Sequence, residues 1–228
     1  MSTQIRFLGV AGYEITWADK RLLIDPFLSD NPGAAVGPDE VDPTHIFLTH
    51  GDFDHYGDIE AIAKRTGAQV VAASEIAGEL TEAGVENVSD PNIGGTVTFD
   101  QGWVKLVPAW HTSVTPKGQV NVPAGLLVKL GDTTVYHLGD TALFSDLKLV
   151  AGRGDPIDVA FMCIGGHYTM DRIDAVTAAE FVGASTVIPC HYNTFPVIET
   201  DAEAFKADVE AQTSSKVEVL QPGETFSP

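Results

Sequence analysis

Residues 47–58 read FLTHGDFDHYGD, a stretch rich in histidine and aspartate between two ordered elements. The strand-like run HIFLTH ends at His50, and a helix-like pattern begins at Asp58. The turn between them carries four candidate metal ligands: His50, Asp52, Asp54 and His55. Neutral imidazole and carboxylate groups suit borderline divalent ions such as zinc, iron and manganese. The alternative is an Asp-rich helix start, in which Asp54 or Asp58 only caps the helix.

Three later segments each place a histidine or an aspartate at the end of a strand-like run. They are PAWHTS with His111, YHLGDT with Asp140 and IPCHYNTFP with His191. Strand ends along one sheet edge can bring distant segments to one site. We expect two ions, the first held by His50, Asp52, His111 and Asp140, the second by Asp54, His55, Asp140 and His191. Asp140 would bridge them, as a pair of ions about 3.5–4 Å apart requires.

The order of the remaining elements predicts two sheets covered by helices. The runs QIRFLGV, GYEITWA, RLLIDPF and HIFLTH suggest an antiparallel meander. LLVKL and TTVYH, joined by a Gly-Asp turn, suggest a hairpin. Helices are expected at residues 58–67, 74–84, 171–182 and 201–211. Strands with interspersed helices in both halves indicate an α/β sandwich built as one domain over residues 1–228.

Composition limits the partners and the location of this 228-residue chain. Its formal charge is −19 and its 13 Lys and Arg are scattered, which argues against nucleic-acid binding. No apolar run reaches the length of a membrane span, and the first residues show no signal-peptide pattern. We therefore expect a cytoplasmic protein that acts on a small molecule without membrane contact and could form a homo-oligomer. Cys163 and Cys190 are expected to be buried hydrophobes.

The ordered motifs resemble those of the metallo-β-lactamase superfamily. They include LLIDPFLSDNP, LTHGDFDHYGD, VPAWHTS, PAGLLVKLGDTTVYHLGDT, IGGHYTMD and VIPCHYNTFP. The chain is most similar to the small single-domain metal-dependent hydrolases related to the ascorbate-phosphate lactonases. This resemblance implies a four-layer αββα sandwich with a dinuclear site at one edge of the sheets. The chain departs from the family pattern at Val10 and at Asp52, where the family usually has histidine.

The expected function is a metal-dependent hydrolase that uses a metal-bound hydroxide on an ester, lactone, amide or phosphoester of a small molecule. Zinc is the first expectation for the two divalent ions, with manganese or iron as alternatives. Asp54 is the candidate catalytic residue, because it could orient the attacking water or take its proton. The competing hypotheses are a phosphodiesterase or nuclease of the same superfamily and a catalytically weakened metal-binding protein.

The other histidines and the loops receive separate predictions. His45 is expected to be structural, and His137 to hydrogen-bond rather than ligate. His167 and Asn193 are candidate substrate contacts, although either could instead hold its loop. Substrate specificity is assigned to the loops at residues 31–37 and 112–123.

Overall fold

Two seven-stranded sheets form the centre of the computed structural model, which describes residues 3–150 and 154–228. The first sheet contains β1 (Gln4–Gly9), β2 (Gly12–Trp17), β3 (Lys20–Ile24), β4 (His45–Phe47), β5 (Gln69–Val71), β6 (Val88–Ser89) and β14 (Thr225–Phe226). The second sheet contains β7 (Thr96–Phe99), β8 (Gly102–Pro108), β9 (Ala124–Leu130), β10 (Thr133–His137), β11 (Val159–Cys163), β12 (Thr186–Cys190) and β13 (Lys216–Val217).

The helices are α1 (Phe53–Tyr56), α2 (Ile59–Thr66), α3 (Ser74–Glu82), α4 (Arg172–Val182) and α5 (Ala202–Gln212). Helices α2 to α5 lie where the apolar periodicity predicts them, whereas α1 was not predicted. Helix α2 ends at Gly67, which adopts the left-handed conformation that glycine tolerates best. The side chains of Asp171 and Asp201 accept backbone N–H groups and cap α4 and α5. The short α1 lies within the His/Asp-rich stretch at residues 47–58 and is too brief to show a helical period.

Both sheets combine antiparallel and parallel strands. In the first sheet the order is β14-β1-β2-β3-β4-β5-β6, and in the second it is β13-β12-β11-β10-β9-β8-β7. Strands β1 to β3 form the expected meander, but β4 pairs with β3 in parallel, so the meander prediction was wrong at the fourth strand. The long connection through residues 25–44 allows this crossover, which a tight hairpin could not make. The predicted hairpin is confirmed, with Leu130 opposite Thr133 across the β9–β10 turn.

The sheets pack face to face and the helices cover their outer faces. In β11, Val159 and Phe161 face the core between the sheets, whereas Ala160 and Met162 face the cluster beneath α4 and α5. This alternation follows from the period of two in a strand. Tyr13 of the first sheet stacks on Phe161 of the second, with ring centroids 3.7 Å apart and planes 7° apart. The result is the expected four-layer αββα sandwich.

The C-terminal region contributes one short strand to each sheet. The run KVEVLQPG contains the two-residue strand β13 of the second sheet, and the last strand, β14, pairs with β1 in the first sheet. So short a strand carries no periodic signal, and its partner lies at the other end of the chain. Within residues 3–150 and 154–228, every helix is too short or too polar to cross a bilayer.

Candidate metal centre

The candidate ligands gather at one edge where strands of both sheets end. Strands β4, β10 and β12 run parallel to their neighbours β3 and β11 within their own sheets. Their carboxyl ends lead to His50, Asp140 and His191 respectively. Helix α1 starts immediately after the loop that follows β4, and Asp54 and His55 lie in its single turn. Strand β8 delivers His111 to the same place three residues after it ends.

The seven predicted ligands form two clusters linked by one carboxylate. We call the first the His50 cluster, made of His50, Asp52 and His111. We call the second the His55 cluster, made of Asp54, His55 and His191. Within each cluster, one nitrogen or oxygen atom per residue lies within 4.8 Å of the others. A third group, made of His50, His55 and Asp140, meets the same criterion and joins the two clusters.

Distances within the His50 cluster are those of groups sharing an ion. Asp52 Oδ2 lies 3.5 Å from His50 Nε2 and 3.6 Å from His111 Nε2. In a tetrahedral zinc site with ligands about 2.1 Å from the metal, neighbouring ligand atoms are about 3.4 Å apart. Asp52 is therefore long enough to reach the position where the family usually has a histidine. Its other oxygen, Oδ1, accepts the backbone N–H of Val114 at 2.9 Å.

Asp140 lies between the two clusters. Its Oδ1 is 3.4 Å from His55 Nε2, and its Oδ2 is 3.1 Å from His191 Nε2. The same Oδ2 is 3.8 Å from His111 Nε2, which belongs to the His50 cluster. His191 Nε2 also lies 3.3 Å from Asp54 Oδ2. A carboxylate that faces both clusters has the geometry needed to bridge two ions.

A buried aspartate that the sequence reading did not assign orients two of the histidines. Asp25 Oδ2 accepts the Nδ1–H of His55 at 2.8 Å and the hydroxyl of Thr49 at 2.6 Å. Since that hydroxyl proton goes to Asp25, Thr49 Oγ1 accepts the Nδ1–H of His50 at 2.9 Å. In the neutral form that binds metal, both imidazoles therefore carry their proton on Nδ1 and turn the lone pair of Nε2 toward the candidate centre.

Several of these inward atoms have no hydrogen-bond partner. Among the residues described, His50 Nε2, His55 Nε2 and Asp140 Oδ1 are buried and unpaired. A buried polar atom without a partner is costly and calls for an explanation. The unpaired atoms are lone-pair donors that point at one another across the two clusters, which is what divalent cations require. The residues present therefore fit a dinuclear site on structural grounds.

The electrostatics keep the carboxylates ionised. Burial alone would raise the pKa of Asp140, but the adjacent His191 and His55 hold this pKa well below the usual aspartate range. The pKa of Asp52 is likewise lowered, because hydrogen bonds from His111 and His50 outweigh the effect of burial. For His55, burial would lower the pKa, yet the charges of Asp140 and Asp25 raise it well above the ordinary histidine value. An excess of fixed negative charge thus surrounds the candidate centre.

Backbone conformation is unusual around this edge. Asp25 has a φ of 45° and His191 a φ of 53°, in the left-handed region that residues other than glycine seldom adopt. Val10 has a φ of 53° as well, and its carbonyl accepts the N–H of His191 at 2.7 Å. Residues in such conformations concentrate at functional sites, where the surrounding fold holds them. The side chain of Val10 is buried in an apolar cluster with Ala11 and Phe27.

The two remaining strand histidines have the roles expected of them. His45 is buried, bonds Thr44 through Nδ1 and packs against the ring of Phe99. His137 accepts the N–H of Gly139 at Nδ1, 3.0 Å away, and its Nε2 donates to the carbonyl of Ala11 at 2.9 Å. With both nitrogens engaged by backbone, His137 holds the strand end in place.

The two proposed substrate contacts lie outside the cavity at the metal-ligand edge. His167 is exposed and its ring contacts Tyr168 edge-on, at 4.5 Å between centroids. Asn193 Oδ1 accepts the backbone N–H of Thr200 at 2.8 Å, which is the loop-holding alternative. Substrate contact by either residue stays a prediction.

A cavity of about 630 Å³ opens onto the two clusters. Its lining comprises Asp52, Phe53, Asp54, His111, Val114, Thr115, Pro116, Asp140, Tyr168, His191, Phe195 and Val197. The loop at residues 112–123 contributes three of these residues, in line with its expected part in specificity, whereas the loop at residues 31–37 contributes none. The volume of the cavity is within the range of small-molecule sites.

Sequence reasoning missed Asp25 and the apolar side of the cavity. A signal for Asp25 was present, since LLIDPF places an aspartate directly after a buried strand and before a proline. Phe53, Phe195 and Val197 had no such signal, because single apolar residues resemble ordinary packing residues until the fold places them around a cavity.

Comparison with known protein families identifies the superfamily of this chain. The family described as beta-lactamase superfamily domain matches residues 4–191. The chain belongs to this superfamily. A UPF0173 metal-dependent hydrolase of Methanopyrus kandleri is 43% identical over 228 residues, covering 98% of this chain and 99% of that protein. A protein of the same description from Thermus thermophilus is 43% identical over 224 residues, covering 98% of each.

A solved superfamily structure agrees over the full length. Igni18, described as a novel metallo hydrolase from the hyperthermophilic archaeon Ignicoccus hospitalis, superposes with a TM-score of 0.90 at 33% identity. The match covers 100% of this chain and 99% of that one. Together with the His and Asp clusters, these superfamily relatives support the use of divalent metal.

Proposed function

We propose that this protein is a dinuclear metal-dependent hydrolase of small molecules. The observation that carries the proposal is the position of Asp140 between two clusters, each of which contains a buried histidine nitrogen, His50 Nε2 or His55 Nε2, with no hydrogen-bond partner among the described residues. The names of the relatives, metal-dependent hydrolases, support the reaction type. The ligand sets would be His50, Asp52, His111 and Asp140 for one ion, and Asp54, His55, His191 and Asp140 for the other.

When bound, two divalent ions would supply Lewis acidity, which activates a water molecule at neutral pH and polarises the scissile bond. In ester hydrolysis the water oxygen bonds to the acyl carbon, the acyl C–O bond breaks, and the alcohol leaves with a proton from the water. Zinc is our first proposal for the ions. The carboxylate of Asp52 adds a hard oxygen ligand, which favours manganese or iron more than histidine would.

The protein's own groups would orient the histidine ligands and the attacking water, and one of them would take a proton from that water. Asp54 lines the cavity, and its pKa is lowered despite burial because His191 hydrogen-bonds to it. An ionised carboxylate at this position can accept a proton from water or fix its direction. Asp25 and Thr49 hold His50 and His55 in the tautomer that leaves Nε2 free, so the ligand geometry is established by the fold.

The test is turnover after metal reconstitution. Protein loaded separately with zinc, manganese and iron is assayed on p-nitrophenyl esters, a lactone panel and bis-p-nitrophenyl phosphate. We expect turnover that requires metal and disappears on chelation. Asp132→Ala, at the exposed β9–β10 turn, is the control for loss of one carboxylate and should behave like the native protein. Metal binding without turnover of any compound would favour a weakened metal-binding protein, and turnover of the phosphodiester alone would favour the phosphodiesterase.

A further inference from the structure

The cavity has a polar floor and an apolar wall. The floor consists of the candidate metal ligands, whereas the wall consists of Phe53, Val114, Pro116, Tyr168, Phe195 and Val197. Phe53 and Phe195 pack together, with ring centroids 6.3 Å apart, and Phe53 also meets Phe27 edge-on at 5.7 Å. The wall is thus a connected aromatic and aliphatic surface that begins where the ligands end.

This wall is unusually exposed. Phe53 is 59% exposed, Tyr168 57%, Val197 51% and Val114 49%, although each is a large hydrophobic residue. Four such side chains around one cavity are more than scattered surface hydrophobics, and contiguous exposed apolar surface marks a binding site. Burying them against an apolar ligand group would release water from both surfaces.

The wall contains no cationic side chain that could bind an anion. Among the described residues that line the cavity there is no lysine or arginine. Lys117, next to Pro116 in sequence, is held by Glu60 through a hydrogen bond of 2.6 Å. Away from a bound metal ion, recognition of phosphate or carboxylate groups relies on arginine, lysine or a helix N-terminus of adequate length. A substrate with a charged tail would have to lose its water against valine and phenylalanine.

We infer that the substrate is a neutral ester or lactone whose acyl group carries an uncharged aliphatic or aryl chain, which lies against this wall. The inference rests on the proposed hydrolase function and specifies its substrate class. The reacting carbonyl would face the ligand clusters, and the chain would extend past Phe53 toward Val197.

The first experiment measures how the chain length of the substrate affects turnover. With zinc-loaded protein, kcat/KM for p-nitrophenyl acetate, butyrate and hexanoate should rise by about twofold to fourfold per methylene. Val197→Lys should flatten this dependence. Leu149→Lys adds the same charge at another exposed apolar residue, outside the cavity, and should leave the dependence unchanged. A flat series in the native protein would overturn the inference while leaving the hydrolase proposal intact.

The second experiment is independent of catalysis. Isothermal titration measures binding of hexanamide and of its analogue with a terminal carboxylate, 6-amino-6-oxohexanoate, to metal-free protein, in which no zinc can bind the carboxylate. Both ligands share the amide head, so the difference reports on the wall. We expect hexanamide to bind at least about fivefold more tightly, and Val197→Lys to reverse or remove this preference.

Equal binding of the two amides, or a preference that Val197→Lys does not alter, would overturn the inference. If hexanamide binds as expected but no ester is hydrolysed by any metal form, the apolar recognition stands and the hydrolase proposal fails.

Discussion

The side chain of Asp52 connects the His50 cluster to the backbone of Val114. Its Oδ2 faces His50 and His111, and its Oδ1 accepts the Val114 N–H at 2.9 Å. Val114 belongs to the loop that forms part of the cavity wall. A histidine bound to metal through Nε2 would present an N–H at Nδ1 toward the same amide, so it could not replace this acceptor. The aspartate therefore joins a metal ligand to the cavity loop.

We expect Asp52→Ala to lose about one metal equivalent, and Asp52→His to retain both ions with a preference shifted toward zinc. Both variants should also expose the Val114 amide to faster hydrogen exchange, because its acceptor is gone. Metal titration with zinc and manganese, followed by exchange measured by mass spectrometry, checks both expectations. Asp52→Asn keeps an oxygen for Val114 and should preserve its protection. If Asp52→Ala binds both metals as tightly as the native protein, Asp52 is not a ligand.

Asp140→Ala should reduce turnover and metal content more than any other ligand substitution, because Asp140 faces both clusters. We expect turnover to be abolished and metal content to fall below that of single-cluster variants such as His111→Ala. The fold should persist, since the Asp140 carboxylate faces the histidines of the two clusters. Elemental analysis, turnover assays and circular dichroism provide the measurements. Activity near the native level would show that the bridge is misassigned.

Asp25→Asn tests the support of the histidines. Both oxygens of Asp25 accept hydrogen bonds, Oδ1 from the Thr49 N–H and Oδ2 from the Thr49 hydroxyl and the His55 Nδ1–H. In either orientation the NH₂ group of asparagine would face one of these donors as a second donor. Loss of such a partner typically lowers metal affinity by about 10–100-fold. Competition against a chelator measures the affinity. Asp58→Asn is the matched control, because Asp58 also accepts backbone N–H groups, from Leu28 and Ser29, but bonds no histidine. A similar loss in both variants would assign the effect to general stability.

Gly57→Ala should destabilise the fold far more than Gly67→Ala. Both glycines end helices with positive φ, 42° and 68°. A Cβ at Gly57 would lie 2.5 Å from the Cα of Phe27, whereas at Gly67 it would meet nothing within 4 Å. We expect about 1 kcal/mol of lost unfolding free energy at Gly67 and more than about 3 kcal/mol at Gly57. Urea unfolding of metal-free protein measures both, and equal losses would show that the backbone can shift at Phe27.

Some of this structure could be read from the sequence and some could not. Histidine and aspartate at strand ends identified both clusters, since parallel strands in one sheet must end at the same edge. The direction of β4 and the pairing of β14 with β1 were not readable, because they depend on long connections and on a partner at the other end of the chain. The sequence shows Asp25 after a strand but does not reveal its hydrogen-bonding role. Its partners Thr49 and His55 are 24 and 30 positions away.

The split of the ligands between two sheets sets the order in which the protein can assemble. Asp54 and His191 meet across 137 positions, and β1 finds β14 only when the last residues of the chain arrive. Contacts of such long range form slowly and late in folding. During synthesis strands β1 to β6 emerge with His50, Asp52, Asp54 and His55 but without Asp140 or His191. The proposed capture of two ions would therefore have to wait for the C-terminal half, so metal uptake would report on the final stage of folding.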